Sequence, residues 1–516
     1  MARRRQRAPR DNEDSCAVGQ FAGAARPIRP WMWYWIAVTA VGLLLRIVLI
    51  VATRGLIYPI DHDAFVCWGI QATDEGVLGV YDRAAQAHPS RIWQDGQPGI
   101  TERELNRVCN YPPLALYLFY GSGLVFRAVS ADRLIDTAAS RLTFCGWSIL
   151  GDLALAAGCA AIVARLRPGW AARLVYLLAV VAPPFWWDSV IWGQIDTVVL
   201  APLVWMLYAM LRERWLLAGA LWGIALGLKP QAVLFTPVWG LAVVTVRGFW
   251  RPLVGMAVAG VVVLVAALPF LAHSGWTWFV LSYKQPLVET FTHLTTLKAF
   301  NIWYLDLLLC DSADAGAMWF GVAKAMWGKV FLAAGLLAGF AFIVWRWRRA
   351  RCGLLLWTCL SLLAFVMLPT QVHERYIVLV LPFLGAAAAL SWRLWPGLLL
   401  LVIVSMAQMT WPVWLTKPAG QGEWVRERAI EMYAQRVART PEGFRDRMPS
   451  RDEFVERVEA NYRAARRDNL RSEWIFTALA LLGAVMTVAA TVSVRPKTRE
   501  AWLPSTTRST VAGTPS

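Results

Sequence analysis

Residues 31–52 read WMWYWIAVTAVGLLLRIVLIVA. This nearly uninterrupted apolar run, Trp31 to Ala52, is long enough to cross a bilayer as a helix. The stretch before it, Met1 to Pro30, is basic and starts Arg3-Arg4-Arg5; a basic leader of that kind stays in the cytoplasm. The run is too long for a signal-peptide core and no small-residue cleavage site follows, so it reads as an uncleaved anchor. Just beyond it comes Tyr58-Pro59-Ile60-Asp61-His62-Asp63. The first thing the chain presents on the far side is therefore a pair of carboxylates at the membrane surface. Binding of a lipid-linked substrate at that surface explains the placement; a simple receptor or scaffold has no need of it.

Composition agrees with the opening run. The chain of 516 residues is 58% hydrophobic, with 30 Trp and a mean hydropathy of +0.46. Apolar runs of about 17–25 residues recur along most of its length, as in transmembrane helices. A net charge of +17 brings nucleic acid to mind, but no basic stripe lies on a soluble fold. The charge reads instead as Arg at cytoplasmic helix ends, near anionic headgroups. The eight Cys are scattered and show no metal-binding spacing. Cys67 and Cys109 share the first outer loop, where a disulfide is one reading of the pair.

The expected spans are about Trp31–Ala52, Leu142–Ala164, Leu174–Trp187, Gly193–Leu211, Leu216–Leu228, Ala232–Val246, Leu253–Ala272, Phe320–Val344, Leu354–Leu368, Ile377–Leu390, Leu394–Trp411 and Trp474–Val492. The chain thus reads as an all-α polytopic membrane protein of about 11–13 transmembrane helices with its site in an outer loop. Loops at Arg165–Arg167, Arg212–Arg214, Arg247–Arg251, Arg346–Arg349 and Arg393, and the tail from Arg495, belong inside by the positive-inside rule. Leu114 to Val129 is apolar but short. If it crosses, the following loops invert; if it dips in and returns, every basic loop falls inside, and charge bias favours that second arrangement. A re-entrant segment needs protein around its backbone.

The domain reading follows. Residues 1–30 form a disordered basic cytoplasmic arm and 31–411 a transmembrane catalytic domain, with 53–112 as its first outer loop. Residues 412–473, rich in Arg and Glu with apolar positions every three or four, predict two or three amphipathic helices on the outer surface. Residues 474–494 make a final span, and 495–516 a disordered tail.

Several polar residues border the apolar spans on the outer side, where they are costly and usually functional. Asp61 and Asp63 suit a general base that takes a proton from an attacking hydroxyl. They also suit a helix cap, or a divalent metal that leans on substrate phosphate. In Trp192-Gly193-Gln194-Ile195-Asp196 an amide and an acid sit inside a tryptophan belt. Asp196 needs a partner, and Lys229, in Lys229-Pro230-Gln231, supplies one; Lys229 alternatively holds a lipid phosphate as a point charge. His373-Glu374-Arg375-Tyr376 suits a phosphate or pyrophosphate through His373 and the arginine fork. In Ala299-Phe300-Asn301-Ile302-Trp303 an amide and an indole, Asn301 and Trp303, suit a sugar.

The ordered series resembles the integral-membrane GT-C glycosyltransferases, and more narrowly the bacterial relatives of the GPI-anchor mannosyltransferases. Its pieces are the acid-bearing first outer loop (Asp61, Asp63, Phe65, Trp68), Tyr111-Pro112-Pro113, Arg141 with Asp152, Trp192 to Asp196, Lys229-Pro230-Gln231, Ala299 to Trp303 and His373 to Tyr376. They span roughly residues 31 to 411. Asn110 stands where relatives often carry Asp, and 412–473 has no counterpart. The resemblance implies a GT-C-like bundle and transfer of a sugar from a polyprenyl-phosphate carrier, with inversion. Mannose is the sugar the family suggests, and the acceptor is a glycan, lipid or protein. The first acid of the loop, Asp61, maps to the base, with Asp63 beside it. Lys229, Arg375, His373 and Arg141 are expected at the donor phosphate. Tyr111, Gln194, Asp196, Asn301, Trp303 and Glu374 are expected at the substrate. No cofactor is required, metal dependence stays open, and no nucleic-acid partner is expected. The place implied is a bacterial cytoplasmic membrane, multi-pass, with the site facing outward. The rival readings are a polytopic transporter or flippase of a polyprenyl-linked lipid, which uses midplane charges and repeated halves, and a non-catalytic lipid-binding membrane protein.

Overall fold

A computed structural model describes residues 30–53, 59–84, 88–94, 97–103, 108–131, 133–135, 137–167, 169–246, 248–289, 294–310, 312–347, 352–414 and 448–493, with scattered positions between 426 and 437. Both expected disordered ends, the basic positions Arg247, Arg348 and Arg349, and most of the polar segment before residue 448 lie outside them.

The described chain is helical, with three small two-stranded sheets. Its helices are α1 (Pro30–Ala52), α2 (Pro59–Glu75), α3 (Pro113–Val129), α4 (Ala138–Leu166), α5 (Trp170–Val181), α6 (Pro183–Trp186), α7 (Asp196–Leu211), α8 (Trp215–Leu228), α9 (Thr236–Thr245), α10 (Trp250–Ser274), α11 (Thr277–Phe279), α12 (Ile302–Cys310), α13 (Lys324–Trp347), α14 (Cys352–Met367), α15 (Leu381–Ala388), α16 (Trp395–Trp414) and α17 (Arg451–Ser493). Among the described residues seven helices are long and apolar enough to cross a membrane, and five shorter apolar helices accompany them. The protein is an all-α polytopic membrane protein, as expected.

Two polar contacts set the direction of the bundle. Arg141 at the start of α4 donates to the carbonyl oxygen of Ile50 near the end of α1. Deeper in, Arg46 Nε of α1 meets Asp152 Oδ2 of α4 at 2.6 Å, with both side chains fully buried. Helices α1 and α4 are therefore antiparallel, and the chain between them re-emerges at the end where it left. Segment α3 makes no net crossing. It does not dip and return either: it is one uninterrupted 17-residue helix, about 25 Å long, whose start is set by Pro113 at N1. It lies against α2, with Gly69 and Gly123 at the crossing.

The basic loops meet at the opposite end. Arg167 donates to Ala389 O, Arg393 to Ser493 O, and Tyr34 near the start of α1 to Arg173 O. Exposed Trp170, Trp250, Trp345 and Trp392 flank these loops, as interfacial indoles do. At the far end of the chain, α17 runs unbroken for 43 residues. The final span expected from Trp474 is thus the second half of a helix that begins at Arg451, where Ser450 and Glu453 cap it reciprocally.

Candidate active site

The carboxylates gather at the end of the bundle away from the basic loops. Asp61 lies in the first turn of α2 and forms part of the wall of a cavity of about 890 Å³. Its Oδ2 accepts hydrogen bonds from Trp192 Nε1 at 3.0 Å and from Gln194 Nε2, and Arg375 Nη1 stands 3.6 Å away. Asp63, two residues on, is buried and is not part of the cavity wall. Helical residues two apart point about 200° apart, so the two acids do not share a face and do not form a joint metal site. Among the described residues no group of three or more His, Cys, Asp or Glu is placed to hold a metal ion.

Local sequence fixes each partner. The π-turn Trp187–Trp192 ends at Gly193, whose φ of 78° is left-handed, a conformation that suits glycine. The reversal brings Gln194 beneath Asp61, and Gly193 packs on His62. Helix α8 stops at Lys229 because Pro230 follows. The residue before a proline is pushed toward extended backbone, and Lys229 has φ −156° and ψ 134°. Its ammonium is thereby delivered to Asp196 Oδ1 at the start of α7. Asp196 Oδ2 also faces Arg375 Nε at 3.3 Å. Arg375 is carried by the turn Glu374–Leu379, which follows β6 (Val372–His373). That strand pairs in parallel with β3 (Thr296–Leu297) through Leu297 and His373, so the last two sequence motifs meet through backbone.

The charges form an alternating chain. Arg375 bridges Asp61 and Asp196, while Glu374 lies between His373 Nδ1 at 3.7 Å and Arg375 Nη1 at 3.8 Å. Burial works to lower the Arg375 pKa, but Asp61, Asp196 and Glu374 outweigh it and hold the guanidinium well above its ordinary value. Burial works to raise the Glu374 carboxyl, yet its hydrogen bond with His373 and the nearby Arg375 keep it low. Burial, and then the Asp61 carboxylate, hold the Tyr111 hydroxyl well above its ordinary value, so it remains a donor. His62 is fully buried and stacks edge-on against Phe144. Burial and Arg141 push its imidazole down to about 3, which leaves it neutral.

The cavity wall includes Asp61, Tyr111, Lys229, His373, Glu374 and Arg375 of the expected set. Gln194 and Asp196 sit immediately behind it, bonded to Lys229. Besides Asp63, three expected residues lie elsewhere. Arg141 is fully buried with its guanidinium on the carbonyls of Ile50 and Val190. Asn301 caps α12 through the amides of Trp303 and Tyr304. Trp303 is buried with its indole on Leu368 O. Asp152, placed beside Arg141 in the motif series, pairs with Arg46 instead. Cys67 and Cys109 are free thiols, and burial pushes both up to about 12. The sequence motifs give Lys298 and Gln285 no role, yet both line the cavity. The signal for Lys298 is the one Lys229 carries, a lone cation in an apolar stretch.

Residues 110–369 match the sequence profile of Glycosyltransferase family 87. The chain belongs to glycosyltransferase family 87. It is a multi-pass GT-C membrane glycosyltransferase, which takes a lipid-linked sugar donor and an acceptor. No curated protein matches the chain. Among solved structures, the chain is similar to ArnT from Cupriavidus metallidurans, crystallised in the apo state. The identity is 17%, over 90% of this chain and 76% of that one, with a TM-score of 0.45. The family match begins at Asn110 and stops six residues short of Arg375. Asp61 and Arg375 thus come from outside the matched stretch to contact Gln194 and Asp196 inside it.

Proposed function

We propose that this family-87 enzyme moves a sugar, mannose by the family resemblance, from a polyprenyl-phosphate carrier to a hydroxyl of a glycan, lipid or protein, with inversion. The observation that carries the reading is Asp61: a carboxylate on the cavity wall with one oxygen held by two hydrogen-bond donors and faced by the Arg375 guanidinium. In this mechanism the acceptor oxygen attacks the anomeric carbon while Asp61 takes its proton. The bond from that carbon to the phosphate oxygen breaks, and the polyprenyl phosphate leaves with the electron pair. Charge developing on the phosphate is met by Arg375 and Lys229, with His373 and Lys298 at the same wall. Fixed cations of this kind stabilise the transition state without covalent catalysis. Leu281, Leu287, Leu332 and Phe365 on the same cavity suit the first prenyl units. Basic loops at the opposite end of the bundle support a site on the outer face of a bacterial cytoplasmic membrane.

The test is transfer by the purified protein in lipid nanodiscs. Labelled polyprenyl-phosphate mannose, polyprenyl-phosphate glucose and a nucleotide-linked mannose are offered with membrane extract as acceptor. Transfer is expected from a polyprenyl-phosphate donor, with inverted product. Asp61→Asn should stay folded, bind donor and lose turnover by roughly 100- to 10,000-fold. Transfer from the nucleotide sugar alone would remove the donor class, and near-normal turnover of Asp61→Asn would remove the base.

A further inference from the structure

The donors around Asp61 are unevenly distributed. Trp192, Gln194 and Arg375 all approach Oδ2, and among the described residues no donor reaches Oδ1. The Gln194 amide is oriented by what meets its other end. Its Oε1 accepts from the Tyr111 hydroxyl at 3.3 Å and from Lys229 Nζ at 3.5 Å. Two donors on the carbonyl side leave one amide orientation, with the NH2 group toward Asp61; the reverse would set NH2 against an ammonium and two oxygens together. The backbone is clamped too: Gln194 N–H donates to Asp188 O at 2.9 Å, and Gln194 O accepts from Ser148 Oγ at 2.7 Å. Gln194 is fully buried and is not part of the cavity wall. It reaches Asp61 from behind the wall.

We propose that Gln194 is the positioning residue of Asp61: it ties down Oδ2, fixes the rotation of the carboxylate and leaves Oδ1 as the oxygen that receives the acceptor proton. The inference rests on the reading of Asp61 as the base. The charged and titratable groups facing Asp61 are Arg375 from the turn after β6 and Tyr111 ahead of α3. Asp196 and Lys229 connect to it through Arg375 and Gln194, and His62 and Asp63 neighbour it on α2. All of them stay unchanged in the variants below.

The test uses the purified full chain in lipid nanodiscs with whichever sugar donor sustains transfer. Gln194→Met keeps side-chain length and removes the amide donor; kcat should fall roughly 10- to 100-fold with KM unchanged. Gln194→Glu fills the same volume with an acceptor in place of the amide donor and should lower kcat at least as far. On an Asp61→Asn background, Gln194→Met should cost nothing further, because Gln194 acts through Asp61. An unchanged kcat in both single variants overturns the inference, and so does a full additional loss in the double variant. A raised KM with unchanged kcat also overturns it, by making Gln194 a substrate contact. If Gln194→Met fails to fold, the same comparisons with Gln194→Glu decide alone. A fully active Asp61→Asn, read with Gln194 intact, overturns the base reading separately and leaves Gln194 a structural neighbour.

Discussion

Lys229 is held by Asp196 and yet lies on the cavity wall. The two roles separate in a double variant. Lys229→Met leaves Asp196 with Arg375 alone and should lower stability, by up to about 3–5 kcal/mol where a buried pair loses one partner. Adding Asp196→Leu removes the carboxylate that has lost its ammonium and should restore most of that loss in a thermal melt in detergent. Affinity for polyprenyl-phosphate mannose should stay about tenfold or more below wild type in both variants, as one charge-assisted contact is missing. Wild-type affinity in the restored double variant would take Lys229 away from the donor and leave Arg375 and His373 there. At this scale the sequence is legible for depth and mute on direction. Asp61, Lys229 and Arg375 stand out because they are charged residues at the borders of apolar runs. Asp63 and Arg141 stand out for the same reason, and neither lies on the cavity wall, because helical phase rather than depth decides where a side chain points. Asp152 finds Arg46 on α1 by the same rule, a pairing across 106 residues that no local pattern marks.

The tightest helix crossings are built on glycine. A Cβ on Gly219 of α8 would lie 1.9 Å from Gly255 O of α10, and one on Gly123 of α3 would lie 2.4 Å from Gly69 O of α2. Small residues allow such approach inside a membrane. The second crossing matters for chemistry because α2 carries Asp61. Gly123→Ala should push α2 away from α3, costing about 1–3 kcal/mol as overpacking does, and should reduce turnover as well. Gly121→Ala is the control: on the same helix, its added Cβ meets nothing within 4 Å. It should hold or slightly raise the melting temperature, alanine being the better helix former, and keep full turnover. Equal effects from the two would detach the crossing from the site. The elements themselves are largely written in the chain, since apolar runs end where Arg, Pro or Gly interrupts them. Helix α17 is the exception. The change from charged to apolar near Trp474 marks a change of surroundings, and no Pro or Gly between Arg451 and Glu473 stops the helix there.

Across the whole molecule, the charge is polarised end to end. The acid-and-cation cluster occupies one end and the arginine loops the other. Single cysteines placed on a background without the native eight should report this directly. Arg451→Cys, at the exposed start of α17, should react with an impermeant maleimide in intact cells. Arg214→Cys, exposed between α7 and α8, should react only after permeabilisation. The reverse pattern would turn the site toward the cytoplasm and exclude an outer-face donor. The Arg46–Asp152 contact, described above as what orients α1 against α4, also sets a timetable. Helix α1 leaves the ribosome before α4, and the carboxylate that pairs with Arg46 follows 106 residues later. At about 5–20 residues per second, the interval is roughly 5–20 s. For that long the nascent anchor carries a guanidinium without its partner, at a depth where arginine is disfavoured by about 2.5–3.5 kcal/mol. Helix α1 is therefore a provisional resident of the bilayer, kept there by its apolar neighbours until the helix that neutralises it has been synthesised.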